Sequence, residues 1–221
     1  NIFYVGEKSP DEVQELLYEF TKEREINNVS PTNTSFEKRD VYRAAEPCEI
    51  SQSHLWIGFR TGVTYNSDDY LCAVLFNMVL GGDVTSKMFM NLREKMSLCY
   101  TCHSSLDATK GLLFAYAGIS PENEEKTEKA FFEQLEKIKS GDISEEELSD
   151  GKKSFANRMR EIVDDPSVTP MWHFMRLLSG VWRNPEEDAQ DIMKLNVDDV
   201  VRVANSITLD TIYTLRGEAT K

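Results

Sequence analysis

A glycine pair followed by a helical stretch and then a strand-like stretch is the feature that most limits how this chain can fold. Gly81 and Gly82 precede residues 86–95, where apolar residues recur at the spacing of an amphipathic helix. A strand pattern follows directly, so the chain must turn a sharp corner after the helix. Arg93 and Tyr100 lie on the two sides of this corner, seven positions apart. We therefore expect both side-chain tips to reach the same side of a sheet.

The order of the predicted elements indicates an α+β fold. Strands are expected over residues 41–50 and 53–63, and in the second strand Leu55, Ile57 and Phe59 alternate with other residues. The later elements are, in chain order, a helix after Ser67-Asp68-Asp69, the helix 86–95, strands over 99–106 and 111–119, helices beginning after Ser120, Ser144, Asn184 and Asn196, and a strand over 207–215. Strands, then helices, then a returning strand predict an antiparallel-rich mixed sheet with helices packed on one face.

The first forty residues predict a boundary between two domains. Residues 2–6 have the pattern of a short buried strand, and Ser9 and Glu12 form a capping-box pattern around Pro10 that opens a helix. The apolar stripe of that helix consists of Val13, Leu16, Leu17 and Phe20. The predicted division is residues 1–26 as the final strand and helix of a preceding domain, 27–40 as a linker, and 41–221 as a second domain. Because the chain begins at Asn rather than Met, we expect an internal fragment of a longer protein.

Composition excludes several classes of partner. The formal net charge of −13 argues against nucleic acid, which requires clustered Lys and Arg, and against an anionic membrane surface. No apolar run approaches the length of a membrane span, and no signal peptide is visible. The chain has four cysteines and is too long to need disulfide support, so free thiols in the cytoplasm are the expectation.

Residues 99–103 read Cys-Tyr-Thr-Cys-His, which matches the attachment sequence of c-type haem. The motif lies in a predicted strand, where alternation would send Cys99 and Cys102 to opposite faces. Redox dithiol motifs of this kind normally begin a helix rather than lie in a strand. Haem therefore stays a remote alternative, and a redox dithiol meets the same geometric objection.

The histidines do not form a zinc-binding pattern. The sequence has three histidines, His54, His103 and His173, and no His-x-x-Glu-His run. A catalytic zinc site needs a second histidine and a glutamate base close by. We therefore expect no metal ligand and no catalytic residue in this chain.

The corner sequence resembles the second domain of the insulinase/pitrilysin family of zinc peptidases, the inverzincins. The matching residues are Gly81-Gly82, Ser86, Phe89, Leu92-Arg93-Glu94, Leu98 and Tyr100, with further similar runs at 111–114, 120–121 and 141–148. The resemblance implies that residues 41–221 are the C-terminal domain of such a protein. It is most similar to the bacterial small-subunit branch, in which one subunit keeps the zinc motif and the other lacks it.

This resemblance implies a non-catalytic, substrate-gripping role. Arg93 and Tyr100 would hold the main chain of a peptide substrate, while Gly81 and Gly82 would shape its approach. Zinc would be held by a homologous domain or by a partner subunit, in a homodimer or a heterodimer. Two alternatives stay open: either the zinc motif precedes this fragment in a complete peptidase, or the protein is a non-enzymatic assembly subunit.

Overall fold

The computed structural model describes residues 2–21 and 40–217. Within these ranges the chain forms five strands and seven α-helices, with two π-helical segments and one 3₁₀ turn. In chain order the elements are α1 (Pro10–Thr21), β1 (Tyr42–Cys48), β2 (Ser53–Arg60), α2 (Tyr70–Asn77), a π-helical segment (Met78–Gly82), a π-helix (Met88–Lys95), β3 (Cys99–Asp107), β4 (Leu112–Ile119), a 3₁₀ turn (Pro121–Asn123), α3 (Glu124–Lys139), α4 (Glu145–Asp164), α5 (Thr169–Leu178), α6 (Pro185–Ile192), α7 (Val197–Ser206) and β5 (Thr208–Gly217).

The five strands form one mixed sheet in the order β1-β5-β2-β4-β3. Strand β1 pairs with β5 in parallel, and the three remaining pairs are antiparallel. The last strand of the chain, β5, therefore lies between the first two, and β3 lies at an edge. The predicted α+β class and antiparallel-rich mixed sheet are confirmed.

The hydrophobic core lies between one face of this sheet and the helices. Leu55, Ile57 and Phe59 of β2 are buried on the inner face, whereas Trp56 between them is 40% exposed. This is the alternation that a strand with one buried face requires. Helix α2 and the π-helical segment after it are buried on most sides, and α3 adds Phe131 and Leu135 to the core.

The helix starts follow the predicted capping chemistry in most cases. Ser144, Asn184 and Asn196 each accept hydrogen bonds from backbone N–H groups of the first turn, and each belongs to a complete capping box. The Ser9 box of α1 is also present, with Glu12 N donating to Ser9 Oγ. Helix α2 differs, because its first turn is closed by the backbone oxygen of Ser67 and no side chain caps it.

The predicted buried strand over residues 2–6 is not formed. Ile2, Tyr4 and Val5 are exposed, and no strand within residues 2–21 and 40–217 pairs with them. A strand needs a hydrogen-bonded neighbour, so an apolar pattern alone does not create one. Phe3 instead makes an edge-to-face contact with Phe174 at 5.7 Å between ring centroids.

The predicted linker over 27–40 lies almost entirely outside the described residues, so the domain boundary remains a prediction. The predicted apolar stripe of α1 is only partly covered, since Leu16 is 61% exposed and Phe20 is 72% exposed. Across the described part of the chain, no helix combines the length and the apolar character needed to cross a bilayer.

Candidate functional site

The candidate site is the corner between the π-helix and β3. The helix ends with a hydrogen bond of π-helical spacing, from Met96 N to Asn91 O at 3.0 Å. Ser97 then adopts a φ of +51°, in the left-handed region that sharp turns use. Leu98 N donates to Leu92 O at 2.8 Å, which joins the two arms of the corner. π-Helical turns are rare in proteins, and those that do occur are frequently at functional sites.

Arg93 projects from the helical arm of this corner into solvent. It directly follows Leu92, which is fully buried, and its own side chain is 42% exposed. The guanidinium lies over the ring of Phe89, 4.6 Å from the ring centroid, a cation–π contact that holds its orientation. Glu94 is 3.9 Å from Arg93 Nε, so the other donors of the guanidinium fork remain available to a ligand.

Tyr100 projects from the strand arm. It is the extra residue of a β-bulge, because the pairing of β3 with β4 shifts between Cys99 and Thr101. Tyr100 is 57% exposed, and its hydroxyl is 3.1 Å from Ser120 Oγ. Bulges commonly change the direction of a side chain next to a functional site. The structure therefore places both predicted grip residues at the corner, with neither one in the core.

Gly81 and Gly82 are packed closely against neighbouring residues. They end the π-helical segment Met78–Gly82, and Gly81 is buried. A Cβ on Gly81 would lie 2.6 Å from Met88 Sδ and 2.7 Å from Ser104 N, and one on Gly82 would lie 2.9 Å from the carbonyl oxygen of Asn77. Glycine is therefore required here for close packing beneath the π-helix. A role of these glycines in shaping the approach of a substrate remains a prediction.

Gly81→Ala is expected to lower the free energy of unfolding by about 1–3 kcal/mol, because the added methyl group meets backbone that cannot move away. Gly151→Ala, inside α4, is the matched control: its Cβ would lie 3.4 Å from Leu75 Cδ1 of α2, an ordinary contact. We expect that variant to be neutral or up to about 1 kcal/mol more stable, since alanine favours helix. Urea unfolding of both variants checks this, and equal destabilisation would contradict it.

The prediction that Cys99 and Cys102 face opposite sides of the sheet is wrong. Both are 7% exposed and belong to the core. Tyr100 is an extra residue in the strand, so the alternation of faces shifts by one and both cysteines point to the same face. His103 is exposed, with its ring centroid 5.1 Å from that of Tyr116. The cysteines and this histidine therefore lie on opposite faces, an arrangement that does not suit attachment and ligation of one haem.

His54 and His103 both contact Tyr116, whereas His173 lies at a different place in the fold. His54 Nδ1 is hydrogen-bonded to the hydroxyl of Tyr116 at 2.6 Å, and the ring of His173 lies near those of Trp172 and Trp182. Among residues 2–21 and 40–217, no group of three or more His, Cys, Asp or Glu side chains could hold a metal ion. The described histidine, cysteine and acidic side chains therefore do not fit a zinc ion.

A buried charge cluster near α5 and α6 was not predicted from the sequence. Arg176 and Asp188 form an ion pair with side chains 3% and 1% exposed, and Arg183 Nε donates to Asp188 at 2.8 Å. The guanidinium of Arg176 is surrounded by the rings of Tyr65, Tyr70 and Trp172, at 4.4–4.9 Å. The cluster joins residues far apart in the chain, and no local sequence pattern indicates it.

The fold and the site define a domain of the zinc-peptidase type, and its described residues include no group of side chains that could hold the metal. Residues 1–155 match the family described as Peptidase M16 inactive domain. The chain therefore belongs to the M16 peptidase family, and the resemblance predicted from its sequence is confirmed.

Individual relatives agree with this assignment. The chain is 30% identical over 219 residues to the Bacillus subtilis (strain 168) protein named "Probable inactive metalloprotease YmfF", and the match covers 98% of this chain and 51% of that protein. A conserved protein from Enterococcus faecalis V583 has a crystal structure that superimposes with a TM-score of 0.79 at 26% identity, over 85% of this chain and 44% of that one. A protease from Helicobacter pylori gives 0.84 at 20% identity, over 96% and 53%, which shows the fold alone. The chain thus spans about half the length of the curated relative described here.

Proposed function

We propose that this inactive M16 domain grips an extended peptide for a zinc-bearing M16 domain or partner subunit and makes no catalytic contribution itself. The observation that supports the proposal is the corner, because the two elements that it joins carry the exposed side chains of Arg93 and Tyr100. Arg93 has donors left for a main-chain carbonyl oxygen, and Tyr100 has a rotatable donor. The unpaired cysteines support a reducing compartment such as the cytoplasm.

The chemistry of this corner suits a main chain better than a side chain. Both groups are donors, and an extended peptide presents carbonyl oxygens at regular intervals along its length. Phe89 fixes the guanidinium from one side and Ser120 fixes the phenol, so little side-chain freedom is lost when a peptide binds. Gly81 and Gly82 contribute by letting the π-helix pack closely and so fixing the position of Arg93.

Arg93→Met in the full-length protein, assayed with its zinc-bearing domain or subunit, is expected to lower kcat/KM for an unstructured fluorogenic peptide about 10- to 100-fold. A hydrogen bond to a charged donor contributes about 1.5–3 kcal/mol, and 1.4 kcal/mol corresponds to a factor of ten. Tyr100→Phe removes one neutral donor, so we expect a loss of about 3- to 10-fold. Both variants should keep the unfolding midpoint of the natural protein, since both side chains are exposed.

Lys95→Met is the matched control, because Lys95 is exposed and lies on the same helix two residues after Arg93. It removes the same charge and should change kcat/KM by less than about 2-fold. If the Arg93 and Lys95 variants have equal effects, general electrostatics and not a specific grip would account for turnover. Unchanged turnover in both Arg93→Met and Tyr100→Phe would refute the proposal.

The same preparations separate the alternatives that the sequence leaves open. Zinc bound by the full-length protein alone, with peptide turnover, would place the zinc motif elsewhere in the same chain. Turnover only with a second subunit would place it in the partner. A stable complex with no turnover at all would favour an assembly subunit.

A further inference from the structure

The two cysteines of the Cys-x-x-Cys sequence lie side by side on the inner face of β3. Cys99 is opposite Ile119 and Cys102 is opposite Ala117. The cysteines are three residues apart in β3, because the bulge adds one residue between them. Ile119 and Ala117 are two residues apart on β4, which places the Cα atoms of the cysteines about 6.6 Å apart at ordinary strand spacing. Disulfides join Cα atoms up to about 6.8 Å apart, so a small contraction of the bulge would bring the sulfurs into bonding distance.

The two thiols already interact and differ in acidity. A hydrogen bond from the Cys102 thiol lowers the pKa of Cys99; burial opposes this shift, and the positive charge of Arg93 adds to it. The same hydrogen bond raises the pKa of Cys102, and burial adds to that effect. Because the thiolate is the reactive form, the lowered pKa of Cys99 makes it the thiol expected to attack first, while Cys102 keeps its proton.

The position of the pair in the fold allows it to react. Strand β3 is an edge strand, and the cysteines are at its first residues, where the ladder is interrupted by the bulge. Strand ends next to a bulge open locally at a lower free-energy cost than central strands do. Both side chains are 7% exposed, so a small oxidant has better access than a bulky one.

We propose that Cys99 and Cys102 are a peroxide-sensitive dithiol whose disulfide moves Tyr100 and weakens the grip on the peptide. The Cys99 thiolate attacks one oxygen of hydrogen peroxide, which breaks the O–O bond, forms Cys99 sulfenic acid and releases hydroxide. The Cys102 sulfur then attacks the Cys99 sulfur, and the hydroxyl group leaves as water. Overall, two thiols lose two electrons and two protons, and one peroxide becomes two water molecules.

The consequence for the site follows from where Tyr100 lies. It is the bulged residue between the two cysteines, so any contraction that joins the sulfurs must change the backbone that carries it. Its hydroxyl would then leave the position set by Ser120. This second part rests on the proposed function, whereas formation of the disulfide does not.

The test treats the full-length protein with hydrogen peroxide and analyses tryptic peptides by mass spectrometry. Residues 96–110 form one tryptic peptide that contains Cys99 and Cys102 and no other cysteine. We expect this peptide to lose the mass of two hydrogen atoms, and dithiothreitol to restore it. Cys48→Ser is the control and should leave this change intact. An unreacted peptide, or one with separately oxidised sulfurs, at peroxide doses that modify Cys48 would overturn the disulfide.

Binding of a fluorescein-labelled unstructured peptide, measured by anisotropy, tests the consequence. Oxidation should weaken binding at least about 5-fold in the natural protein, since displacement by about 1 Å can cost far more than that. It should have no effect in Cys102→Ala. If the reduced protein binds peptide and the oxidised protein binds it equally, the switch is refuted while the grip stands. If the disulfide forms but the reduced protein binds no peptide, the proposed function fails instead.

Discussion

Replacing Asp188 with Asn is expected to lower the free energy of unfolding by about 3–5 kcal/mol. The carboxylate is buried and is hydrogen-bonded to both Arg176 and Arg183. Asn keeps the size of the side chain but removes the charge, so the guanidinium of Arg176 stays buried without its ion-pair partner. The three aromatic rings around Arg176 cannot replace that charge, because cation–π contacts contribute about 0.5–2 kcal/mol. Urea unfolding of the full-length protein, followed by circular dichroism, measures the loss.

Two further variants show whether the unpaired charge is the cause. Glu186→Gln, on the exposed side of the same helix α6, should change stability by no more than about 0.5 kcal/mol. Combining Asp188→Leu with Arg176→Met removes both charges and should recover most of the stability lost in Asp188→Asn. A double variant no more stable than the single one would contradict this account of the cluster.

Leu92→Ala is expected to lower the free energy of unfolding by about 2–5 kcal/mol, and to impair peptide binding in the molecules that remain folded. The side chain of Leu92 is completely buried and anchors the π-helix to the core. Its carbonyl oxygen accepts the hydrogen bond from Leu98 that closes the corner. Loss of the Leu92 side chain therefore loosens the helix backbone that carries Arg93. Unfolding by urea and peptide binding by anisotropy measure the two effects.

Met90→Ala provides the comparison on the same helix. Met90 is 39% exposed, so the truncation leaves little cavity and should cost less than about 1 kcal/mol. Peptide binding should stay close to that of the natural protein. If Met90→Ala and Leu92→Ala destabilised equally, the core anchoring of the π-helix would be refuted.

The parts of the fold predictable from the sequence are those fixed by interactions over a few residues. A capping box joins an N-cap residue to the residue three positions later, so Ser144 and Asn196 could be read directly from the chain. The alternation in β2 repeats every two residues, and burial of one face follows from it. Arg93 and Tyr100 were located at the corner for the same reason, since the helix and strand patterns meet there.

Features that depend on a distant partner were not predictable. The bulge at Tyr100 exists only in the pairing of β3 with β4, so simple alternation placed Cys99 and Cys102 on the wrong faces. The close packing of Gly81 was not predicted, because the sequence does not reveal that Met88 and Ser104 lie against it. The ion pair of Arg176 and Asp188 likewise joins two different helices, and it forms only in the folded chain.

The insertion of β5 between β1 and β2 determines when this domain can be completed during synthesis. Strand β1 has β5 as its only neighbour in the sheet of described residues, so it must wait until residues 208–217 have left the ribosome. Until then the backbone N–H and C=O groups of β1 are unpaired and can bind other chains in the cell. A chaperone that covers nascent strands would have to protect β1 for this whole period.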